Sequence, residues 1–400
     1  MAEKGKPCSE VYNITYKLQS REIGNRLILR NVHSQIMFRD FQLQKELDTN
    51  EPSNIVQIGT SPGIIVVLAQ SGLCTAFDRD TNKILCCLNL NRHDQIKRLF
   101  YMEKDNSVIA LSARASHGFS LKCRKIPLDY IRNDQPNAGF DLFEGENLTF
   151  PGIAGFDSLN AKAVISVHGH IFKVFDLKNC RLLYTIAEKE IENIRIASDI
   201  MLLVLKRSAC GNFLPLKILA MEDNTVLRSF RHAIVPNKKV DLVKLIHDKI
   251  LVKQEDEYLQ IIDVLSGNTI QLSKPWFKKT PACFFLYKKR LFLTLHVETV
   301  RVWNLQGEVV ASYRNRFLRS PGTLCHFTPD EELLLSYNKL SQPSINIVDI
   351  LTGNCYAEIG GDQDVRLRNA FEDITTLVYD EERNEIYTGN ARGIVHVWSN

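Results

Sequence analysis

Short apolar runs rich in Val, Ile, Leu, Phe and Tyr, bounded by Gly, Asn, Asp, Ser or Pro, follow one another along most of the chain. Runs of this kind predict β-strands, and no long stretch keeps the spacing of an amphipathic helix. Several runs end alike, on an apolar or aromatic residue, then Asp or a small polar residue, then a turn and another strand. They are CTAFDRDTNKILCCLNL, FKVFDLKNCRLLYTI, LQIIDVLSGNTIQL, VRVWNLQGEVVASY, INIVDILTGNCYAEI and the closing VHVWSN. The polar member falls at Asp78, Asp176, Asp263, Asn304, Asp349 and Ser399, at intervals of 98, 87, 41, 45 and 50 residues. The first two intervals each hold two periods, and fainter copies fill them: FSLKCRKIPLDYI near Pro127 and LPLKILAMEDNTVLRSF near Met221.

Each period also carries an earlier pair of strand-like runs, as in GTLCHFTPDEELLLSYN and AKAVISVHGHIFKVF. Roughly four strands in every 40 to 50 residues predict four-stranded antiparallel blades. Such a sheet cannot bury both faces alone, so blades must stack around an axis and the circle must close. The expected fold class is an all-β propeller of seven or eight blades, with eight favoured by the count of third strands. Residues 1–20 are expected to form an arm and 21–400 a single domain, with blades over 54–400. The last blade lacks a fourth run, so an N-terminal strand within 26–47, from RLILRN or SQIMFRDFQL, is expected to complete it and close the ring.

Composition narrows the class. With 44% hydrophobic residues, 24% charged residues and a net charge of +4, the chain can bury a large core and has no bulk electrostatic commitment to nucleic acid or membrane. The charged start MAEKGKPCSEVYNITYKL lacks the apolar run of a secretory signal, and no apolar run approaches the ~18 residues of a membrane span. The ten cysteines (Cys8, Cys74, Cys86, Cys87, Cys123, Cys180, Cys210, Cys283, Cys325, Cys355) are scattered without any C-x-x-C. That pattern predicts reduced, buried thiols in a cytoplasmic or nuclear protein.

The closing DEERNEIYTGNARGIVHVWSN resembles the WD40-repeat family in its acidic turn, Thr-Gly, polar-Gly turn and Val-x-Val-Trp, and FTPDEELLLSYN resembles that family's Pro-Asp hairpin. The resemblance spans roughly 54–400, strongest in the last blade, and the whole chain is similar to a group of uncharacterised plant WD-repeat proteins. It implies a WD40-like propeller, for which seven blades is the norm, closed by an N-terminal strand. The sequence departs from the family in lacking any Trp-Asp pair, and its one Gly-His pair, Gly169-His170, lies six residues before Asp176. Most of the family's Asp-His-Ser-Trp network is therefore missing, and apolar packing is expected to replace it.

Candidate chemistry is sparse. GTSPG (59–63) matches G-x-S-x-G, but a β run rather than a helix follows Ser61, so a turn between the first two strands is expected. HGH (168–170) offers two imidazoles without a clear third ligand, and no phosphate-binding glycine motif occurs. The phosphoinositide-binding propellers carry Phe-Arg-Arg-Gly, which SFRHA and YRNRFLRS lack. The basic groups Lys288, Lys289, Arg290 and Arg314, Arg316, Arg319 are expected to be solvated turns or contacts for an acidic partner. No catalytic residue, metal site or cofactor is expected.

Propellers that serve as receptors of cullin-RING ubiquitin ligases often end a third strand in Trp-Asp-x-Arg, and VFDLK resembles it with Phe175, Asp176 and Lys178. Lys in place of Arg loses the planar fork. The loops between second and third strands, together with those between blades, should share one face. Blades 1 to 4 then contribute Gln70, His117, His168, His170 and Arg207 to its rim. Blades 5 to 8 contribute Glu255, Asp256, Glu257, His296, Glu298, Lys339 and Arg392, acid first and base after.

These features predict a non-enzymatic protein-interaction scaffold, a monomer within a larger complex that binds protein rather than nucleic acid or membrane. A cullin-RING substrate receptor, and an enzyme or small-ligand binder using the central channel, are the alternatives.

Overall fold

The structure, a computed structural model, describes residues 54–398 apart from 92–93, 115–119, 146–152, 158–160, 168–170, 180, 189, 198, 208–210, 273–281, 297–298, 316–323, 340–342 and 361–369. The expected arm and closing strand lie outside the described residues. The rest forms eight antiparallel sheets arranged as a β-propeller. They span 55–87, 94–145, 153–187, 191–233, 240–272, 282–314, 324–360 and 374–398, here blades 1 to 8. Seven show four strands in sequence order, and blade 8 shows three among the described residues. Val395 and Val397 pair within that blade, with Gly389 and Tyr387.

All eight third strands lie where the repeat places them, including the faint pair ending at Pro127 and Ala220. The recurring polar residue shapes the turn that follows. Asp78 Oδ1 accepts the amides of Asp80 and Thr81, Asp263 Oδ1 that of Ser266, Asn304 Oδ1 those of Gln306 and Glu308, and Asp349 Oδ1 those of Leu351 and Thr352. A short side-chain oxygen can do this at a strand end because it mimics a backbone turn. Blade 2 departs: a helical turn at Leu128–Arg132, buried through Leu128 and Ile131, is inserted before its fourth strand, which blurs the period there.

First strands carry a second repeat. IVQI (55–58), IKRL (96–99), IENI (191–194), VDLV (240–243) and ITTL (374–377) each hold aliphatic residues three apart, a spacing a straight strand would send to opposite faces. A β-bulge between the first and third residue of each motif turns both aliphatics inward.

The core consists of one apolar cluster in each seam between blades. Clusters join blades 1 and 2 around Leu68 and Ile126, 2 and 3 around Ile109 and Phe175, 3 and 4 around Val174 and Met201, and 4 and 5 around Leu216 and Ile250. Further clusters join 5 and 6 around Leu251 and Trp303, 6 and 7 around Leu293 and Leu334, and 7 and 8 around Tyr337 and Phe371. The eighth unites Ile55, Ile58, Phe77, Tyr387 and Val395 across blades 1 and 8, so the ring closes within the described residues. Apolar packing does dominate, as expected, but two Trp-centred bonds survive: Trp303 Nε1 donates to Thr294 Oγ1 and Trp398 Nε1 to Thr388 Oγ1, each at 2.9 Å.

The closing seam places a buried cation where the other described blades place an apolar side chain. The residue after each third strand is a buried aliphatic at Leu128, Leu177, Met221, Val264, Leu305 and Ile350, whereas blade 1 places Arg79 there, 5% exposed. Its guanidinium reaches into blade 8, pairing with Asp380, lying 3.5 Å from Glu385 and donating through Nε to Tyr387 Oη at 3.0 Å. Asp80 and Arg383 add an outer pair at 2.5 Å. Space is tight here too, because a Cβ on Gly389 would stand 2.6 Å from Ile55 Cβ. Thr375 Oγ1 donates to Ile55 O at 2.6 Å.

The seven described cysteines are thiols. Cys74, Cys86 and Cys123 are buried as expected, but Cys355 is exposed, because it begins an outer strand.

Removing Arg79 leaves carboxylates in the seam without their cation, a change worth about 3–5 kcal/mol for a buried pair. Arg79→Leu should therefore lower stability in urea melts by an amount of that order, and Arg79→Leu with Asp380→Leu should recover part of it. Equal stability of wild type and Arg79→Leu would show that the pair contributes nothing to closure.

Acid should act on the ring through the buried His396 and the half-buried His326. Burial pushes His326 and His396 down to about 4, against about 6.5 for a free imidazole, and neither ring nitrogen of His396 has a hydrogen-bond partner. The unfolded chain binds these protons first, so stability should fall as pH drops from about 6.5 towards about 4. Asp380 acts lower: burial opposes its charge, but hydrogen bonds from Arg79 and the Arg383 amide hold it below the usual carboxylate range. Its stabilisation is complete above that range and disappears beneath it. In urea melts from pH 7 to 4, His396→Leu should show a shallower decline than wild type; matching slopes would contradict the assignment.

Candidate functional site: the face of second-to-third-strand turns

One hydrogen bond recurs on this face. The first residue of a second-to-third-strand turn donates its amide to the residue just before that blade's first strand: Gln70 to Asn54 at 2.7 Å, Lys206 to Glu190 at 2.7 Å, Glu255 to Lys239 at 2.9 Å and Ala391 to Asp373 at 2.9 Å. Turns and inter-blade connections are thus tied together on one side of the ring. The opposite face has its own recurrent bond, from the residue after a third strand to the one before the second: Leu177 to Ala161 at 2.7 Å, Met221 to Asp199 and Val264 to Asp248 at 2.8 Å, Ile350 to Glu332 at 2.9 Å.

Apart from His296, the described rim residues read from the sequence occupy these turns. His117, His168, His170 and Glu298 lie outside the described residues, and His296 ends the second strand of blade 6. Gln70 exchanges a side-chain bond with Asn54, whose Nδ2 donates to Gln70 Oε1 at 2.8 Å. Arg207 Nη1 donates to Lys238 O at 3.0 Å, and Lys238 Nζ pairs with Glu257 Oε1 at 2.5 Å, so blades 4 and 5 meet through the connection between them. Lys339 pairs with Asp373 at 2.8 Å, and Arg392 pairs with Glu372. The hydrogen bond from Lys339 holds the Asp373 carboxyl below its usual range, while the bond that Lys238 donates to Glu257 raises the Lys238 ammonium.

Separate acidic and basic sectors therefore do not form in the way the turns alone suggest. Glu257, Lys339 and Arg392 each have an opposite charge from a neighbouring connection. Glu255 and Asp256 remain exposed, with no ion pair among the described residues. Lys253, beside them in sequence, is 2% exposed; burial lowers its ammonium, which donates to Gln254 O.

A cleft of about 390 Å³ opens between blades 4 and 5. Ile234, Val235 and Pro236, from the connection between the blades, form one wall, and Gln260 and Gln271, from the third and fourth strands of blade 5, form the other. Gln254 fixes the first wall: its Oε1 accepts the Val235 amide at 2.8 Å and its Nε2 donates to Val235 O at 2.9 Å. His232 Nε2 lies 2.6 Å from Gln260 Oε1, and burial lowers that imidazole despite the bond, favouring the neutral ring. The sequence reading missed this wall. Its signal is the run HAIVPNKK, which puts two aliphatic residues and a proline between the last strand of blade 4 and the first of blade 5.

The remaining motifs resolve into local structure. Ser61 ends the first strand of blade 1, is 5% exposed and donates to Ile64 O at 3.2 Å across the hairpin turn, where Gly63 takes φ +74°. Phe175 is buried between blades 2 and 3, and Asp176 accepts the Lys178 amide at 2.9 Å and pairs with Lys162 at 3.3 Å. Lys289 pairs with Glu332 at 3.3 Å and Arg290 lies 3.7 Å from Asp248. Among the described residues no group of three His, Cys, Asp or Glu side chains is placed to hold a metal ion, and no helix is long and apolar enough to cross a membrane.

Known structures share this architecture. The chain is similar to the computationally designed Ika8 protein, at 18% identity and TM-score 0.54 over 88% of this chain and 97% of that one. It is similar to the C-terminal WD40 domain of Sif2 at 13% identity and TM-score 0.52, again over 88% and 97%. A eukaryotic initiation factor aligns at 11% identity and TM-score 0.53 over 85% of this chain and 82% of that one. At such identities the likeness is one of fold. No curated protein matches the chain. The family model described as "Domain of unknown function (DUF7899)" matches residues 26–398, nearly the whole chain, and the chain belongs to that family.

Proposed function

We propose that the protein is a non-catalytic interaction scaffold that presents its second-to-third-turn face to a partner protein within a complex. The observation that carries this reading is the recurrent turn-to-connection bond, repeated in blades 1, 4, 5 and 8, which makes the loops of one face a fixed part of the ring. Preformed surfaces bind with less ordering cost than mobile ones. Thiols rather than disulfides at the seven described cysteines support a reducing compartment, the cytoplasm or nucleus, as the place of action. A lineage shared with plant WD-repeat proteins is part of the same reading.

A ubiquitin-ligase receptor role would use the other face. There Lys178 is exposed, but Phe175 and Asp176 are engaged within the fold, leaving an adaptor one side chain of the motif.

Photo-cross-linking in the source cell tests the proposal. A photoreactive residue at Gln70, Arg207 or Arg392 should give a discrete adduct with the same partner, while Asp80, Leu265 or Leu351 on the opposite face should not. Adducts from the opposite face alone, or none from either, would contradict the reading.

A further inference from the structure

The cleft between blades 4 and 5 combines three chemistries. Its wall is apolar: Ile234 belongs to the seam core, and Val235 is 39% exposed although its backbone is clamped on both sides by Gln254. Proline at 236 presents no amide to water or to a competing bond. The facing wall supplies amide donors. With His232 neutral and donating to Gln260 Oε1, the Gln260 amide nitrogen is left to donate, and Gln271 stands exposed on the outermost strand of blade 5.

The lip is acidic. Glu255 and Asp256 are exposed in the adjoining turn, and Asp256 is held at φ +53°. Glu257, which lines the cleft, is already joined to Lys238. Two carboxylates beside an apolar wall repel nucleic-acid phosphate and an anionic lipid surface. They attract a cationic side chain. The volume of about 390 Å³ sits at the small end of the range for ligand sites, about 300–1,000 Å³, enough for a few side chains of an extended segment.

We propose that this cleft docks an extended peptide segment of a partner protein, with an aliphatic side chain against Ile234, Val235 and Pro236 and a Lys or Arg against Glu255 and Asp256. Gln260 and Gln271 donate to the backbone carbonyls of that segment. The assignment rests on the interaction-scaffold reading and gives it a place and a partner chemistry.

Fluorescence anisotropy with the full chain and three labelled octapeptide pools tests it. One pool alternates Lys or Arg with Leu or Val, the second replaces the cations with Glu, and the third replaces the aliphatics with Ser. The first pool should bind tightest, weakening with salt. Glu255→Lys with Asp256→Lys should reduce its affinity at least ~10-fold, about 1.4 kcal/mol. Glu222→Lys, on the opposite face, should leave binding unchanged, which excludes mere attraction to any acid. Gln254→Leu, which frees Val235, should weaken binding several-fold while the melting temperature stays within a few degrees.

Equal binding of the pools, equal binding to the double charge-reversal variant, or no binding of the first pool overturns the assignment. If the face-specific cross-links of the preceding section persist while the peptides fail, the cleft is wrong and the scaffold reading stands. Loss of the cross-links as well removes both.

Discussion

The seam between blade 8 and blade 1 is the constraint on which the rest depends. Every blade is an antiparallel sheet with apolar side chains on both faces, so each needs a neighbour on either side. Seven seams join blades that follow each other in sequence. The eighth joins residues separated by more than 300 positions, as the Arg79 to Tyr387 bond spans 308. It therefore closes a long loop, and the entropy of that closure falls on one interface.

That interface is built differently from the others. An apolar side chain plugs the equivalent position in blades 2 to 7, but blade 1 buries Arg79 against Asp380, Glu385 and Tyr387. A buried ion pair adds little net stability over an apolar plug, so its value lies in direction. Guanidinium, carboxylate and phenol must meet in one geometry, whereas aliphatic plugs can slide. Gly389 and Thr375, both at Ile55, hold the inner strands in register as well.

The two faces of the ring are organised differently. Asp and Asn at third-strand ends organise turns on one face, a local task any blade can do alone. On the other, the turn amides bond to the end of the connection entering the same blade, and side-chain pairs such as Lys339 with Asp373 add contacts that depend on how blades stack. The cleft between blades 4 and 5 is of the second kind: Gln254 of blade 5 holds Val235 of the connection, and His232 of blade 4 holds Gln260 of blade 5. A closed ring is what keeps these pairs at a fixed distance.

This division explains what could be read from the sequence. Third-strand ends were legible, even at Pro127 and Ala220, because Asp78, Asp263 and Asp349 act on amides two or three residues away. Rim turns followed by position. Their charges did not, since Lys339 meets Asp373 only after blades 7 and 8 pack, and Arg392 meets Glu372 from twenty residues away in sequence. The I-x-x-I spacing of the first strands fits a strand only through the bulge, which the sequence does not announce. Arg79, in FDRDTN, carries no local mark of burial, since nothing nearby in sequence distinguishes a buried guanidinium from a solvated one.

Native-state hydrogen exchange tests the central claim most directly. If the ring is closed and cooperative, amides of the first strands of blade 1 (Ile55–Ser61) and blade 8 (Ile374–Asp380) exchange only with global unfolding, as slowly as those of blade 4 (Ile191–Ala197). Exchange at the closing seam orders of magnitude faster than in blade 4 would show an open ring and contradict the account.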